Sequence, residues 1–405
     1  MSEVKKGIFY GWWIVLACAL VHLYTGGTFF YGFTALFNPI VEEFGWSYAL
    51  VSLAFSFRGF EAGVLAPIVG FLVDRLGPRK LLFAGVFIMG LGFLALSTIQ
   101  HLWSFYVNFL LLALGLGLTS AVVTMSAVVR WFPGRMSFAM GFLTAGHAAG
   151  GLLVPAVVWL IDQFTWRKAL LLFAAGEWLL VLPLVFLVKE PQEPAPVVEK
   201  EHVTKNKLDG LAARQVLRDR NFWLLSLAVF FGGIAGTAIT VHQIPYMVSI
   251  GISRQAAGFM AVAFAIANIT GRLGFGWLGE IMDKRRCFAI SAALKGLGVL
   301  GFALANSTGQ MVPSLIALGL GFGGVVPLRP TLQAEFFGRK AFGSIQGLLI
   351  MFITIGTMVA PLFAGWVFDL LGSYRPAFVA LAAATFLAVP IVLAVSHKKQ
   401  DLATA

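Results

Sequence analysis

Four basic side chains, Arg58, Arg272, Lys295 and Arg329, stand inside long apolar runs of the sequence. A charge at the centre of a bilayer costs at least ~2.5–3.5 kcal/mol on insertion scales, so each needs a reason to be there. Arg272 precedes Asp283, which ends its apolar run, by 283 − 272 = 11 residues. At ~1.5 Å per residue that is ~16 Å, close to the midplane of a spanning helix. A guanidinium there presents a planar fork that matches a carboxylate through two hydrogen bonds. No acidic residue lies within one turn of Arg272, and Asn268, one turn earlier on the same face, offers an amide donor. The competing reading is a structural pair with an acid on another helix.

The remaining candidates are less exclusive. His242, just before Gln243 and Pro245, can hydrogen-bond a substrate or carry a proton near neutral pH; a histidine held by a backbone carbonyl is the plainer alternative. Arg329 lies between Pro327 and Pro330, eight residues before Phe337 (337 − 329), so ~12 Å from the end of its run. Prolines that break a helix expose polar backbone tolerated only along a cavity. Arg329 is therefore a second anion contact or a gate paired with Glu335. Arg58 and Glu61 are spaced to neutralise each other, or Glu61 carries a proton and Arg58 tunes it. For Lys295 and Glu177, snorkelling or pairing with a neighbouring helix is expected. His147 follows Gly146 in a small-residue stretch that suits tight helix packing, and its own role is open.

These residues need a membrane to make sense. The chain is 59% hydrophobic and 12% charged over 405 residues, with a mean hydropathy of +0.88. Soluble domains carry about 25% charged residues. Apolar runs of spanning length start near Gly11, Tyr48, Leu81, Leu102, Ser137 and Lys168, then near Phe222, Gln255, Phe288, Met311, Gly343 and Pro376. That is six, a polar stretch, and six more. The first run extends to Phe37, too long for the apolar region of a signal peptide. With both termini cytoplasmic, 21 of the 29 Lys and Arg fall on that side and four (Arg167, Lys168, Arg254, Arg375) fall outside. The net charge of +11 thus sits in short loops, where topology asks for it, and nucleic acid is not an expected partner. Cys18 and Cys287 define neither a disulfide framework nor a metal site, and no cofactor is expected. No nucleotide loop, metal spacing or nucleophile motif is present, which excludes an ATP-driven pump and makes an enzyme an unsuitable reading.

The two sets of spans repeat. Gly70-Phe-Leu-Val-Asp74 recurs as Gly276-Trp-Leu-Gly-Glu280, and 280 − 74 = 206. Arg130-Trp-Phe and Gly141 recur as Glu335-Phe-Phe and Gly347 (offsets 335 − 130 = 205 and 347 − 141 = 206), and Trp166-Arg167 recurs as Tyr374-Arg375 at 374 − 166 = 208. The division expected is 1–188 for the first half, 189–221 for a flexible cytoplasmic linker ending in a short surface helix, and 222–405 for the second half.

Gly70-x-x-x-Asp74-Arg75-x-Gly77-x-Arg79-Lys80 resembles the signature loop between the second and third helices of the major facilitator superfamily. The resemblance covers essentially the whole chain. It implies an all-α membrane protein of twelve transmembrane helices in two pseudo-symmetric halves, working by alternating access. Asp74, Arg75, Arg79, Glu280 and Asp283 then become gate candidates, because an acid at one helix end can pair with and part from basic residues. The plainer use is capping and topology. Within the superfamily, Tyr10-Gly-Trp-Trp-Ile-Val, Arg130-Trp-Phe-x-x-Arg135, Gly141-x-x-x-Ala-Gly146, Phe336-Phe-Gly-Arg-x-x-Phe-Gly343 and Asn268-x-x-Gly271-Arg272 resemble the monocarboxylate and oxalate/formate porter branch. That branch implies Arg272, Asn268, His242 and Arg329 as substrate contacts, with Glu61 and His242 as proton carriers. Oxalate porters carry a lysine in the eleventh helix, and residues 343–368 contain no Lys or Arg, which speaks against oxalate itself. The fourth span, Leu118-Thr-Ser-Ala-Val-Val-Thr124, lacks a tyrosine found in small-acid porters, so a roomier pocket is expected.

The expectation is a monomeric porter in the lipid bilayer of the inner membrane, moving a small organic anion, foremost a monocarboxylate, together with protons. The alternatives are a porter of the same fold for a vitamin or drug, a carboxylate exchanger, and a transporter-like receptor that moves nothing.

Overall fold

The computed structural model describes residues 9–46, 48–132, 135–190 and 210–396, and among them the chain is almost entirely helical. Ten helices have the length and hydropathy to cross a membrane: α1 (Gly11–Tyr31), α3 (Pro78–Leu96), α4 (Leu102–Val129), α5 (Met136–Phe164), α6 (Trp166–Phe186), α7 (Arg220–Ser249), α9 (Lys284–Leu304), α10 (Thr308–Phe337), α11 (Phe342–Leu371) and α12 (Arg375–Leu393). Two more, α2 (Tyr48–Leu76) and α8 (Arg254–Ile281), are 29 and 28 residues long and complete the twelve. The expected starts agree with these to within four residues. The differences have one cause: helices begin at polar caps before hydropathy rises. Asp283 accepts from the Arg285 and Arg286 amides to start α9, Asp219 accepts from Asn221 to start α7, and Gly77 at φ 81° admits the turn before Pro78. Of the expected linker, 191–209 lies outside the described residues, and the short helix after it spans Ala213–Val216.

The chain forms two compact units. Unit 1 comprises Met1–Leu208 with Ala341–Thr354; unit 2 comprises Asp209–Lys340 and Ile355–Ala405. In unit 1, α3 packs on α4 and α6, and α2 on α4; in unit 2, α9 packs on α10 and α12, and α8 on α10. These are the same partners displaced by six helices. The repeat reaches single hydrogen bonds. Arg167, at the start of α6, donates to the Ser97 and Ile99 carbonyls after α3, and Arg375, at the start of α12, donates to the Ala305 carbonyl after α9.

Each unit has its own apolar core, with Phe29, Phe93 and Phe109 in the first and Tyr246, Phe302 and Phe378 in the second. Outward positions are apolar too: Leu179 is 74% exposed and Leu362 73% exposed. A surface of this kind asks for lipid rather than water.

Candidate functional site: buried arginines of the second unit

The site is set by how closely α8 and α10 cross. A side chain at Gly271 would overlap the Leu320 carbonyl, one at Gly319 would crowd Ala267, and one at Gly323 would overlap the Asn268 carbonyl. Glycine at all three positions lets the two backbones touch, and that brings the polar residues of α8 against α10. Arg272 is buried at 7% exposure, and its Nε donates to Asn268 Oδ1 at 2.8 Å. Asn268, expected to offer an amide donor, also accepts: its carbonyl oxygen holds the guanidinium plane of Arg272, and its NH2 group is still a donor. The terminal nitrogens of that plane form the fork that can meet a carboxylate end-on.

Arg329, on α10, is half-buried and close enough to Arg272 for the two charges to interact; its Nε is buried without a hydrogen-bond partner. The expected break in its helix is absent. α10 runs through Pro327 and Pro330, and Thr331 Oγ1 bonds back to the Leu328 carbonyl at 2.7 Å. The prolines still act, because each lacks the N–H that the carbonyl four residues earlier would receive. The gate partner considered for Arg329, Glu335, bonds Lys284 at 2.8 Å.

His242 stands apart from this pair. Asn221 bonds the Ser396 carbonyl and Arg285 the Val395 carbonyl, so the starts of α7 and α9 lie level. From there His242 is 242 − 220 = 22 residues along α7, ~33 Å, whereas Arg272 is ~16 Å from the same end. One small anion does not reach both. His242 Nε2 lies 3.0 Å from the Pro361 carbonyl and its ring packs on Tyr374, the backbone-carbonyl partner weighed above.

Lys295 and Glu177 do not snorkel; both are fully buried. Lys295 Nζ donates to the Gly232 carbonyl at 2.7 Å and lies over the Phe322 ring, which is pairing with a neighbouring helix. Glu177 has neither arrangement, and both its oxygens lack a hydrogen-bond partner.

In unit 1, Asp74 accepts from the Gly343 and Ser344 amides at 2.9 and 2.8 Å and from Ser344 Oγ at 2.7 Å. It caps the start of α11 instead of pairing with a base. Arg75 lies over the Phe71 ring and Arg79 over Phe186. Asp283 has a cap of its own and a 3.0 Å bond to Arg285; burial raises its carboxyl, and the Arg285 and Arg286 hydrogen bonds outweigh that and hold it below its ordinary value. Glu280 is half-buried in the last turn of α8. The side chains of Arg58 and Glu61 lie outside the described ones. The sequence reading passed over His22, a buried histidine of α1 whose Nε2 lies 2.7 Å from Thr124 Oγ1 and whose ring meets that of His147 edge-on. Its one signal was a histidine in a span free of charge.

Twelve apolar helices in two six-helix repeats, with cations buried at mid-depth, define a polytopic membrane transporter. Residues 17–249 and 236–403 each match the Major Facilitator Superfamily, and the chain belongs to that family. It is 26% identical to monocarboxylate transporter 12 of Mus musculus, over 91% of this chain and 82% of that one. It is 25% identical to the oxalate:formate antiporter of Oxalobacter formigenes, over 93% and 90%. Among solved structures it resembles the E. coli fucose:proton symporter (TM-score 0.72, 18% identity, 96% and 100% covered). It also resembles a proton:xylose symporter (TM-score 0.76, 13% identity, 96% of each chain covered). These relatives are transporters, and the chain is a transporter, not an enzyme.

Proposed function

We propose that the protein carries a small organic anion, foremost a monocarboxylate, across the inner membrane together with a proton, by alternating access of halves 1–188 and 222–405. Both termini are cytoplasmic in this reading and the protein acts as a monomer. The observation that carries it is Arg272, buried at mid-span, fixed by Asn268 and accompanied by Arg329. Two neighbouring guanidinium groups repel each other, and an anion entering beside them is attracted by both. Similarity along nearly the whole chain to a monocarboxylate transporter and an oxalate:formate antiporter supports a carboxylate as the substrate. His242, far from Arg272 in depth, serves as an approach contact or proton carrier, and Glu61 remains the other carrier candidate. Asp74, Arg75, Arg79, Glu280 and Asp283 govern the ends of helices that must part during the cycle.

The test is ligand-induced thermal stabilisation across a panel of mono- and dicarboxylates, since a ligand that binds only the native state raises its stability. Hydrogen bonds to charged groups contribute ~1.5–3 kcal/mol each, so losing two in Arg272→Ala should weaken binding at least ~100-fold. Arg272→Lys keeps the charge but not the fork and should also bind poorly, while Asn268→Ala should be milder. Unchanged affinity in folded, monodisperse Arg272→Ala would remove the centre of this reading. A second reading, anion exchange, has one observation in its favour, the similarity to an antiporter. Uptake that follows a counter-anion and ignores a proton gradient would establish it.

A further inference from the structure

Glu177 lies 177 − 166 = 11 residues into α6 and 186 − 177 = 9 from its end, the middle of a 21-residue span. It is fully buried, and neither carboxylate oxygen has a hydrogen-bond partner. The local winding is unusual. Over Glu177–Val181 the helix widens to a π-helix, a feature concentrated at functional sites. At that point α1 touches it. The Tyr24 hydroxyl donates to the Phe173 carbonyl at 2.9 Å, the same carbonyl that receives the Glu177 amide. A side chain at Gly176 would overlap the Tyr24 hydroxyl, so glycine there is what lets α1 seat on α6. Glu177 and Tyr24 are close enough to interact electrostatically.

We propose that Glu177 is a proton-binding site of the transport cycle, neutral while α1 is seated and ionised when α1 withdraws. The proposal rests on the proton-coupled reading above. An unpaired carboxylate in an apolar interior is very costly, and the group neutralises instead of staying charged. Ionisation therefore needs water or a cation, which the seated α1 excludes. The middle of α6 packs against α1 and α3. From α1 the titratable groups are Cys18, His22, Tyr24 and Tyr31; Cys18 is buried and His22 is bonded to Thr124. From α3 they are Arg79 and Lys80, at its far end, with Arg79 over Phe186. On α6 itself Arg167 is held by Glu43 and Lys168 is at the first turn. Neither neighbouring helix carries a Lys or Arg in its middle, and moving α1 is the route to releasing the proton. Tyr24 is a positioning residue in this scheme.

Full-length protein in liposomes tests this with N,N′-dicyclohexylcarbodiimide, an apolar reagent for protonated carboxyls. The acid's proton passes to a carbodiimide nitrogen, the carboxylate oxygen bonds to the central carbon, and rearrangement leaves a stable N-acylurea with no redox change. Peptide mass spectrometry should find the adduct on Glu177, with labelling blocking gradient-driven uptake. In the wild type, one proton per substrate gives about tenfold accumulation per pH unit. Glu177→Gln should lose that response while exchange of labelled for unlabelled substrate stays within about threefold, and Glu177→Asp should restore part of it. Tyr24→Phe, which removes the bond that seats α1, should lower the labelling rate, because Glu177 is then ionised for more of the time. Glu177→Gln with a full gradient response, or an unlabelled Glu177 in the folded wild type, overturns the proposal. Wild-type uptake that ignores the gradient instead overturns the coupled reading on which it stands, and the two failures are read on different proteins.

Discussion

Replacing Asp74 by alanine should loosen the start of α11 without touching anion affinity. The carboxylate receives three hydrogen bonds there, from the Gly343 amide, the Ser344 amide and the Ser344 hydroxyl. Removing a helix N-cap costs ~0.5–2 kcal/mol, and losing a negative charge at a helix N-terminus adds ~0.3–1 kcal/mol. The sum, ~1–3 kcal/mol, is a factor of about 5–150 in the opening equilibrium of that helix end. Hydrogen exchange reads this directly, since local opening sets the exchange rate of the amides it frees. Amides at 343–346 should exchange faster by about that factor in Asp74→Ala, and by less in Asp74→Asn, whose amide oxygen still accepts. Uptake should fall in the same order. Affinity for the anion should hold, because a carboxylate offers an anion nothing but repulsion. Unchanged protection at 343–346 in the folded variant would refute the reasoning. So would a loss of affinity as large as the loss of uptake, because Asp74 would then be shaping the binding site.

Two further predictions follow from the geometry. Glu43 is hydrogen-bonded by Arg167 and Trp166; burial alone would raise its carboxyl, and these bonds with the Arg167 charge hold it below its ordinary value. Its contribution to stability is therefore present above about pH 4 and is lost as pH falls through the lowered value. Thermal unfolding should show an acid-side decline that shrinks in Glu43→Gln and in high salt, and a decline identical in the variant would refute the pairing. Gly323→Ala should push α10 from the Asn268 backbone, destabilise by ~1–3 kcal/mol and weaken anion binding. Gly274→Ala, with open space around the added methyl, should do neither in melting and binding assays.

The parts of this structure legible in sequence were those written in hydropathy and spacing. Charges interrupting apolar runs marked Arg272 and Arg329, and matching offsets marked the repeat, down to the equivalent roles of Arg167 and Arg375. Capping by Asp74 and a backbone-carbonyl partner for His242 were among the alternatives, but the partners themselves are distant in sequence. Asp74 binds an amide 270 positions away in Ser344, and His242 meets the Pro361 carbonyl across 119. No periodicity carries that information. Glu177 departs from the expectation of snorkelling or pairing with a neighbouring helix: it is fully buried and its oxygens have no hydrogen-bond partner.

The buried cations of the second unit are held in different ways. Lys295 is as deeply buried as Arg272, yet a carbonyl bond to Gly232 and the face of Phe322 stabilise its cation within the protein. Cation–π contact and a charged hydrogen bond together contribute a few kcal/mol, on the order of ~2–5, comparable to the insertion cost of a lysine. Nothing further need bind for Lys295 to be stable. Arg272 and Arg329 have the opposite relation, because each raises the electrostatic energy of the other. Asn268 orients Arg272 through a neutral oxygen and removes none of the charge. Under the proposed function an anion entering beside these two groups is attracted by both, more tightly in a dry site and less once water screens the charges.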